Sequence, residues 1–258
     1  MKLSAVVHSI EKRIPKNWAE DWDNTGLAVG SLSSDIKEIA LALDVTEQTV
    51  SDAAKSSQLL VTHHPIIFRA MKSIITDKPA ARAITDAVKH DLALYSLHTN
   101  WDSSPEGVNV ILADLLGLKN SEALEEPKYK NGALGIGAVG SFDKPLTMKD
   151  CIKLLKERWR ISDIASFGDE CKIISKAAVG GGSCGDMWQK ALDKGADLFI
   201  TSDISYHHRQ DALSMGLNLI ETDHGETERL SLPTLKKIIE KETGLPVSII
   251  EEEPVKRI

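Results

Sequence analysis

Apolar positions recur along the chain in two rhythms. Leu3, Val6, Val7, Ile10 and Ile14 are spaced three and four apart, which predicts an opening amphipathic helix that ends near Pro15. Beyond it, short apolar runs alternate with helical patterns. The runs 39–44, 58–62 and 92–97 read as strands. Between and after them, helices are expected near Thr46 and over 79–90 and 105–116. A polar, charged stretch over 119–131, containing Pro127, interrupts the rhythm. It then resumes with strands at 134–140, 173–179, 197–200, 217–220 and 247–250. Helices open at Thr147 and Asp186 and span 206–214 and 226–241. Strands alternating with helices imply mainly parallel sheets covered by helices.

The two halves repeat each other weakly. Eighteen positions separate Asp44 from Thr62, and nineteen separate Gly182 from Thr201. In each half a helix and a further strand follow, ending in polar clusters at His98–Asp102 and Asp223–His224. The expected architecture is therefore two related α/β lobes. Lobe 1–120 would carry His63, His64 and Asp102, and lobe 121–258 would carry His224 and Glu228. A metal site is expected at the C-terminal ends of the strands between the lobes, the edge where open α/β sheets usually bind ligands.

Composition narrows the function. The 258 residues are 42% hydrophobic and 27% charged, which excludes disordered, collagenous and membrane-bundle classes. The net charge of −7 argues against a nucleic-acid partner. Cys151, Cys171 and Cys184 follow no metal or redox spacing, and the first residues, with Lys2, Glu11, Lys12 and Arg13, are unlike a signal peptide. No run approaches the ~20 apolar residues of a membrane span. A cytoplasmic protein without a membrane partner is expected.

Six of the eight histidines follow strands or lie in the segments after them: His63, His64, His98, His207, His208 and His224. His63-His64-Pro65 ends a strand. Adjacent strand residues point to opposite faces, so both rings reach one centre only if the backbone leaves the strand there, as Pro65 favours. Asp102, after His98, is a hard oxygen ligand, although Asp102-Ser-Ser-Pro also reads as a turn opening a helix. His224 and Glu228 at i and i+4 share one helix face. Together, His63, His64, Asp102, His224 and Glu228 exceed what one open zinc site uses and fit two metals with a bridging carboxylate. The donor set suits Zn, Fe, Mn, Co or Ni. His98 and His207 are candidate proton carriers, since imidazole titrates near neutrality. The loop Gly180–Gly185 is a candidate phosphate cradle or a tight structural turn. Cys184 has no evident base partner and reads as an ordinary thiol.

These motifs also resemble a known family. Trp22-Asp-Asn-Thr-Gly26-Leu-Ala-Val-Gly30, Ala42-Leu-Asp44-Val-Thr46, Val61-Thr-His63-His64-Pro65, Tyr95-Ser-Leu-His98-Thr-Asn100-Trp-Asp102, Gly107-Val-Asn109 and His224-Gly-Glu-Thr-Glu228 are similar to those of the Nif-three-like proteins, or GTP cyclohydrolase I type 2 homologues. The resemblance runs through nearly the whole chain. It implies a dinuclear metal site with the same five ligands, two divalent ions per chain, and a ring-shaped homohexamer. It also suggests a nucleotide substrate, GTP, opened at C8 of its imidazole ring. Many relatives carry an extra mid-chain domain for which 258 residues leave no room, and Ser202 stands where relatives commonly have Gly.

The expected function is thus a dinuclear metal-dependent hydrolase. Two rival readings stand beside it: a metal-binding scaffold or carrier without turnover, and a metal-dependent nucleic-acid or phosphoester hydrolase.

Overall fold

A computed structural model describes residues 1–127, 131–161 and 163–252. The chain forms a mixed α/β fold with two sheets, one in each of two compact units. The first unit is Met1–Trp101 with the segment from Leu232, and the second is Asp102–Ser231.

In the first unit, β2 (Ile39–Ala42), β3 (Leu59–Thr62) and β4 (Ala93–Ser96) lie parallel and are buried along their whole length. Central parallel strands are covered on both faces, so they read as unbroken apolar runs rather than as alternation. β1 (Gly26–Val29) adds an antiparallel edge to β4, and β11 (Val247–Ile249) adds a parallel edge to β2, giving the order β1-β4-β3-β2-β11. Helices α2 (Glu47–Ala53) and α3 (Pro79–Lys89) pack together over Ala40, Ala42, Leu60 and Leu94. α1 (Leu3–Arg13) packs on α10 (Leu232–Thr243). The α1 residue Glu11 accepts a hydrogen bond from Tyr95, whose side chain points to the other face from Leu94. Thr46 and Thr49 form a reciprocal capping box that starts α2 immediately after the β2 exit.

In the second unit the sheet order is β5-β6-β8-β9-β10-β7. Its strands are β5 (Lys119–Glu125), β6 (Ile136–Thr147), β7 (Ile164–Phe167), β8 (Ile173–Val179), β9 (Leu198–Thr201) and β10 (Asn218–Thr222). Only β8, β9 and β10 run parallel; β5, β6 and β7 pair antiparallel. Its helices are α5 (Val108–Leu116), α6 (Met148–Leu154), α7 (Trp188–Asp193), α8 (Tyr206–Ser214) and α9 (His224–Arg229). A single turn, α4 (Thr99–Asp102), carries the chain from one unit to the other. Both units contain the same run: an antiparallel edge strand (β1 or β7), then three parallel strands joined through helices, with the edge strand paired to the last of them.

The structure differs from the sequence reading at several places, among them the antiparallel edge strands β1 and β7, which were not expected. The stretch 119–131, expected as a junction, contains β5, which is exposed over 119–122 and buried only at Ala123 and Leu124 near its end. An edge strand that is exposed over most of its length carries few apolar residues. The units divide at Trp101/Asp102 and Ser231/Leu232 rather than at 120/121, and Asp102 falls in the second unit. The C-terminal segment returns to the first unit because β11 pairs with β2 and α10 packs on α1. The single helix expected over 226–241 is two. Pro233, lacking an N–H, cannot continue α9, and Ser231 closes it by donating to the Glu228 carbonyl at 2.7 Å. No helix among the described residues is long and apolar enough to cross a membrane.

Candidate functional site

In the first unit three histidines converge at the C-terminal ends of β3 and β4. The backbone bends at His63 and His64 immediately after β3, and Thr62 Oγ1 donates to the His64 carbonyl at 2.8 Å. This departure from strand geometry lets adjacent side chains share one side. The ring centroids of His63 and His64 lie 5.0 Å apart, and His98 lies 5.2 and 5.7 Å from them. Each ring offers a nitrogen, and the three nitrogens lie within 4.8 Å of one another.

The opposite side of each ring is anchored. His63 Nδ1 pairs with the Leu97 carbonyl at 2.8 Å, His64 Nδ1 with Asp44 Oδ1 at 2.7 Å, and His98 Nδ1 with Asp23 Oδ1 at 2.8 Å. A carbonyl or carboxylate acceptor at Nδ1 favours the tautomer with its proton there, which makes Nε2 the nitrogen that carries the lone pair. Asp23 also accepts from the Thr99 N–H at 3.1 Å and from Thr99 Oγ1 at 2.6 Å. Burial pulls the Asp23 carboxyl upward, but the His98 and Thr99 hydrogen bonds and the His98 charge outweigh it and hold the group below its ordinary value.

The second unit repeats the device with one ring. Asp223 caps α9 by accepting from the Glu226 N–H at 2.8 Å, which starts the helix at His224. One turn later, Glu228 is buried, with Oε1 3.2 Å from His224 Nε2. His224 Nδ1 pairs with Asp203 Oδ2 at 2.7 Å, and Asp203 itself sits at φ +54° just past β9. Gly182, at φ +68°, closes the other side. A Cβ there would stand 3.2 Å from His224 Nε2 and still closer to Glu228 Oε1, so only glycine leaves the space open.

The glycine loop is therefore a wall and not a phosphate cradle. The Gly180 N–H donates to the Ile200 carbonyl, the Gly181 N–H to Asn109 Oδ1, and the Gly182 N–H to Thr227 Oγ1. Cys184 is buried beneath it. Burial first, and the charges of Asp102 and Glu228 next, push its thiol well above the ordinary range, which removes it as a nucleophile.

The structure brings His63 and His64 together with His98, and His224 together with Glu228. Asp102 closes α4, where its carbonyl accepts from Asn109 Nδ2 at 3.2 Å. His207 is exposed on α8, edge-on to Tyr206 at 5.4 Å. Reasoning from the sequence missed the three orienting carboxylates, Asp23, Asp44 and Asp203. Their signal was present, since each lies in a polar motif at a strand end or in the Trp22–Gly30 run.

Imidazoles anchored through Nδ1, and a buried carboxylate beside a glycine where a Cβ would collide with it, fit a transition-metal ion. Such a fold and donor set define an α/β protein with His and Glu groups that could hold a metal ion. The family description Duf34/NIF3 (NGG1p interacting factor 3) matches residues 1–255, and the chain belongs to that family. It is 38% identical over 242 residues to a Clostridium perfringens protein named GTP cyclohydrolase 1 type 2 homolog, covering 93% of this chain and 91% of that one. A Campylobacter jejuni protein of the same name is 32% identical over 251 residues, covering 97% and 95%. Among solved structures, a Staphylococcus aureus hypothetical protein superposes with a TM-score of 0.91 at 27% identity, covering 100% of this chain and 99% of that one. A Bacillus cereus protein related to NIF3 superposes at 0.92 with 22% identity, covering 100% and 99%, which speaks for the fold alone.

Proposed function

We propose that this chain is a dinuclear metal-dependent hydrolase, with His63, His64, Asp102, His224 and Glu228 as ligands of two divalent ions. The observation that supports the reading is the repeated anchoring of Nδ1: on Leu97 for His63, on Asp44 for His64 and on Asp203 for His224, with the same anchoring on Asp23 for His98. Bound divalent ions would supply Lewis acidity, making water a nucleophile near neutral pH and polarising the substrate.

The chain's own residues do the rest. Asp44 and Asp203 hold His64 and His224 in the liganding tautomer. Asp23, anionic and held low in pKa, supports the imidazolium that forms when His98 takes a proton at Nε2, so His98 acts as the proton carrier. His207 is a second, peripheral carrier in this proposal.

The names of the relatives favour GTP as substrate, opened at C8 of its imidazole ring. The proposed working form is a cytoplasmic ring-shaped homohexamer that acts on a nucleotide without a membrane or nucleic-acid partner. The test is turnover of metal-loaded protein on GTP, other nucleotides, phosphoesters, amides and DNA, beside His98→Gln. The proposal expects release of a ring-opened product from GTP. It also expects the variant to keep both metals while losing at least 100-fold in rate, a typical general-acid/base contribution. No turnover on any of these substrates by fully loaded protein would favour a scaffold or metal carrier. Cleavage of DNA or phosphoesters would favour the hydrolase of that class. Loss of metal in His98→Gln would make His98 a ligand.

A further inference from the structure

We infer that Trp22 and Phe68 form a stacking platform for the planar heterocycle of a nucleotide, beside the His63–His64–His98 cluster. The inference rests on reading that cluster as part of the reaction centre.

Trp22 is 61% exposed and Phe68 is 47% exposed. One exposed aromatic residue needs no explanation. These two are paired edge to face at 5.8 Å, and their rings lie 6.2 and 6.1 Å from His98. The three rings therefore form one group, with the partly buried His98 beside two largely exposed aromatic side chains.

The group is held by its neighbours and not by burial of the rings themselves. Asp23, next to Trp22, is bonded to His98 Nδ1 and to Thr99. Asn24 Nδ2 donates to the carbonyl of Ile67, the residue before Phe68, at 2.5 Å. The two loops are thus tied to each other and to the His98 segment. Aromatic faces fixed in place yet uncovered are preordered for a flat ligand, because little ordering entropy is lost when it lands. Arg69 and Lys72, both exposed, follow Phe68 in the same loop and supply positive charge for an anionic tail. A heteroaromatic ring carrying phosphate matches both features, and stacking on aromatic side chains tolerates any base.

Metal-loaded wild-type protein, Trp22→Ala, Trp22→Phe and Phe68→Ala would be titrated calorimetrically with guanosine, GTP and inorganic tripolyphosphate. Metal content and sedimentation would be measured on the same samples. Each alanine variant is expected to bind guanosine and GTP roughly ten- to hundred-fold more weakly. Tripolyphosphate affinity and metal content should not change, and Trp22→Phe should recover part of the loss. Equal guanosine affinity in wild type and variants overturns the platform, as does wild type that is fully loaded yet binds no guanosine. A change in oligomeric state with unchanged guanosine affinity also overturns it, and assigns the rings to a contact between copies. Wild type without metal defeats the metal-centre reading separately, and the platform is then judged on guanosine binding alone.

Discussion

Replacing Gly182 by alanine isolates the contribution of the glycine wall to the candidate metal centre. Two costs are combined at this position. The first is backbone conformation: at φ +68° an alanine occupies the left-handed region, which costs about 1–2 kcal/mol. The second is steric. The new Cβ would overlap Glu228 Oε1 and crowd His224 Nε2, so the carboxylate must withdraw by on the order of 1 Å, beyond the ~0.5 Å tolerance of a working site. Gly195 provides the control, because its φ is +75° and nothing lies within 4 Å of an added Cβ. Gly195→Ala has only the backbone cost. Both variants should therefore lower the metal-free melting temperature, by about 2–4 °C per kcal/mol for a protein of this size, and Gly182→Ala by more than Gly195→Ala. Only Gly182→Ala should weaken metal binding, by roughly 10–100-fold, as disturbed ligand support typically does. Thermal melts in chelator and calorimetric metal titrations on the two variants decide the matter. Unchanged affinity in Gly182→Ala would refute the assignment of His224 and Glu228 as ligands. Equal loss of affinity in both variants would show that backbone strain, and not the carboxylate displacement, controls the site.

Asp44→Ala removes the acceptor that orients His64 Nδ1, and should reduce metal affinity about 10–100-fold with little change in far-ultraviolet circular dichroism; unaltered affinity would remove His64 from the ligand set. Thr46→Ala breaks the α2 capping box and should cost about 1 kcal/mol in denaturant unfolding, with metal binding intact. Native protein treated with a thiol reagent at pH 8 should modify Cys171 alone. Cys151 is pushed up to about 12 by burial and by Asp150, leaving on the order of one thiolate in ten thousand, and Cys184 is buried and raised as well. Fast labelling of either buried thiol, read by peptide mass, would contradict the packing described here.

Much of this site was legible because its residues sit where a strand ends and a polar motif begins. His63-His64-Pro65 could be placed from the apolar run before it, and His224 and Glu228 from their spacing on one helix turn. Asp102 illustrates the limit: its motif suggested a ligand, yet the chain passes between the two units at α4, and spacing carries no signal for such a division. The return of 232–252 to the first unit was illegible for the same reason, since a parallel pairing of β11 with β2 joins residues some 200 positions apart. β5 escaped because it is an edge strand exposed over 119–122, and two buried residues make no apolar pattern. The orienting carboxylates escaped because an acid at a strand end also looks like a turn former. Only the Nδ1 contacts distinguish Asp44, Asp23 and Asp203 from ordinary loop residues.

The central claim of the proposed function is that His63, His64, Asp102, His224 and Glu228 are the ligands of two metal ions. Elemental analysis of protein purified without added metal tests it most directly, run on wild type, on His63→Ala from the first unit and on Glu228→Ala from the second. The account predicts about two divalent transition-metal ions per chain in wild type, as the five-ligand donor set implies, and loss of occupancy in each variant although all three remain folded. Wild type without metal that takes up none on reconstitution, or full occupancy in either variant, would contradict it.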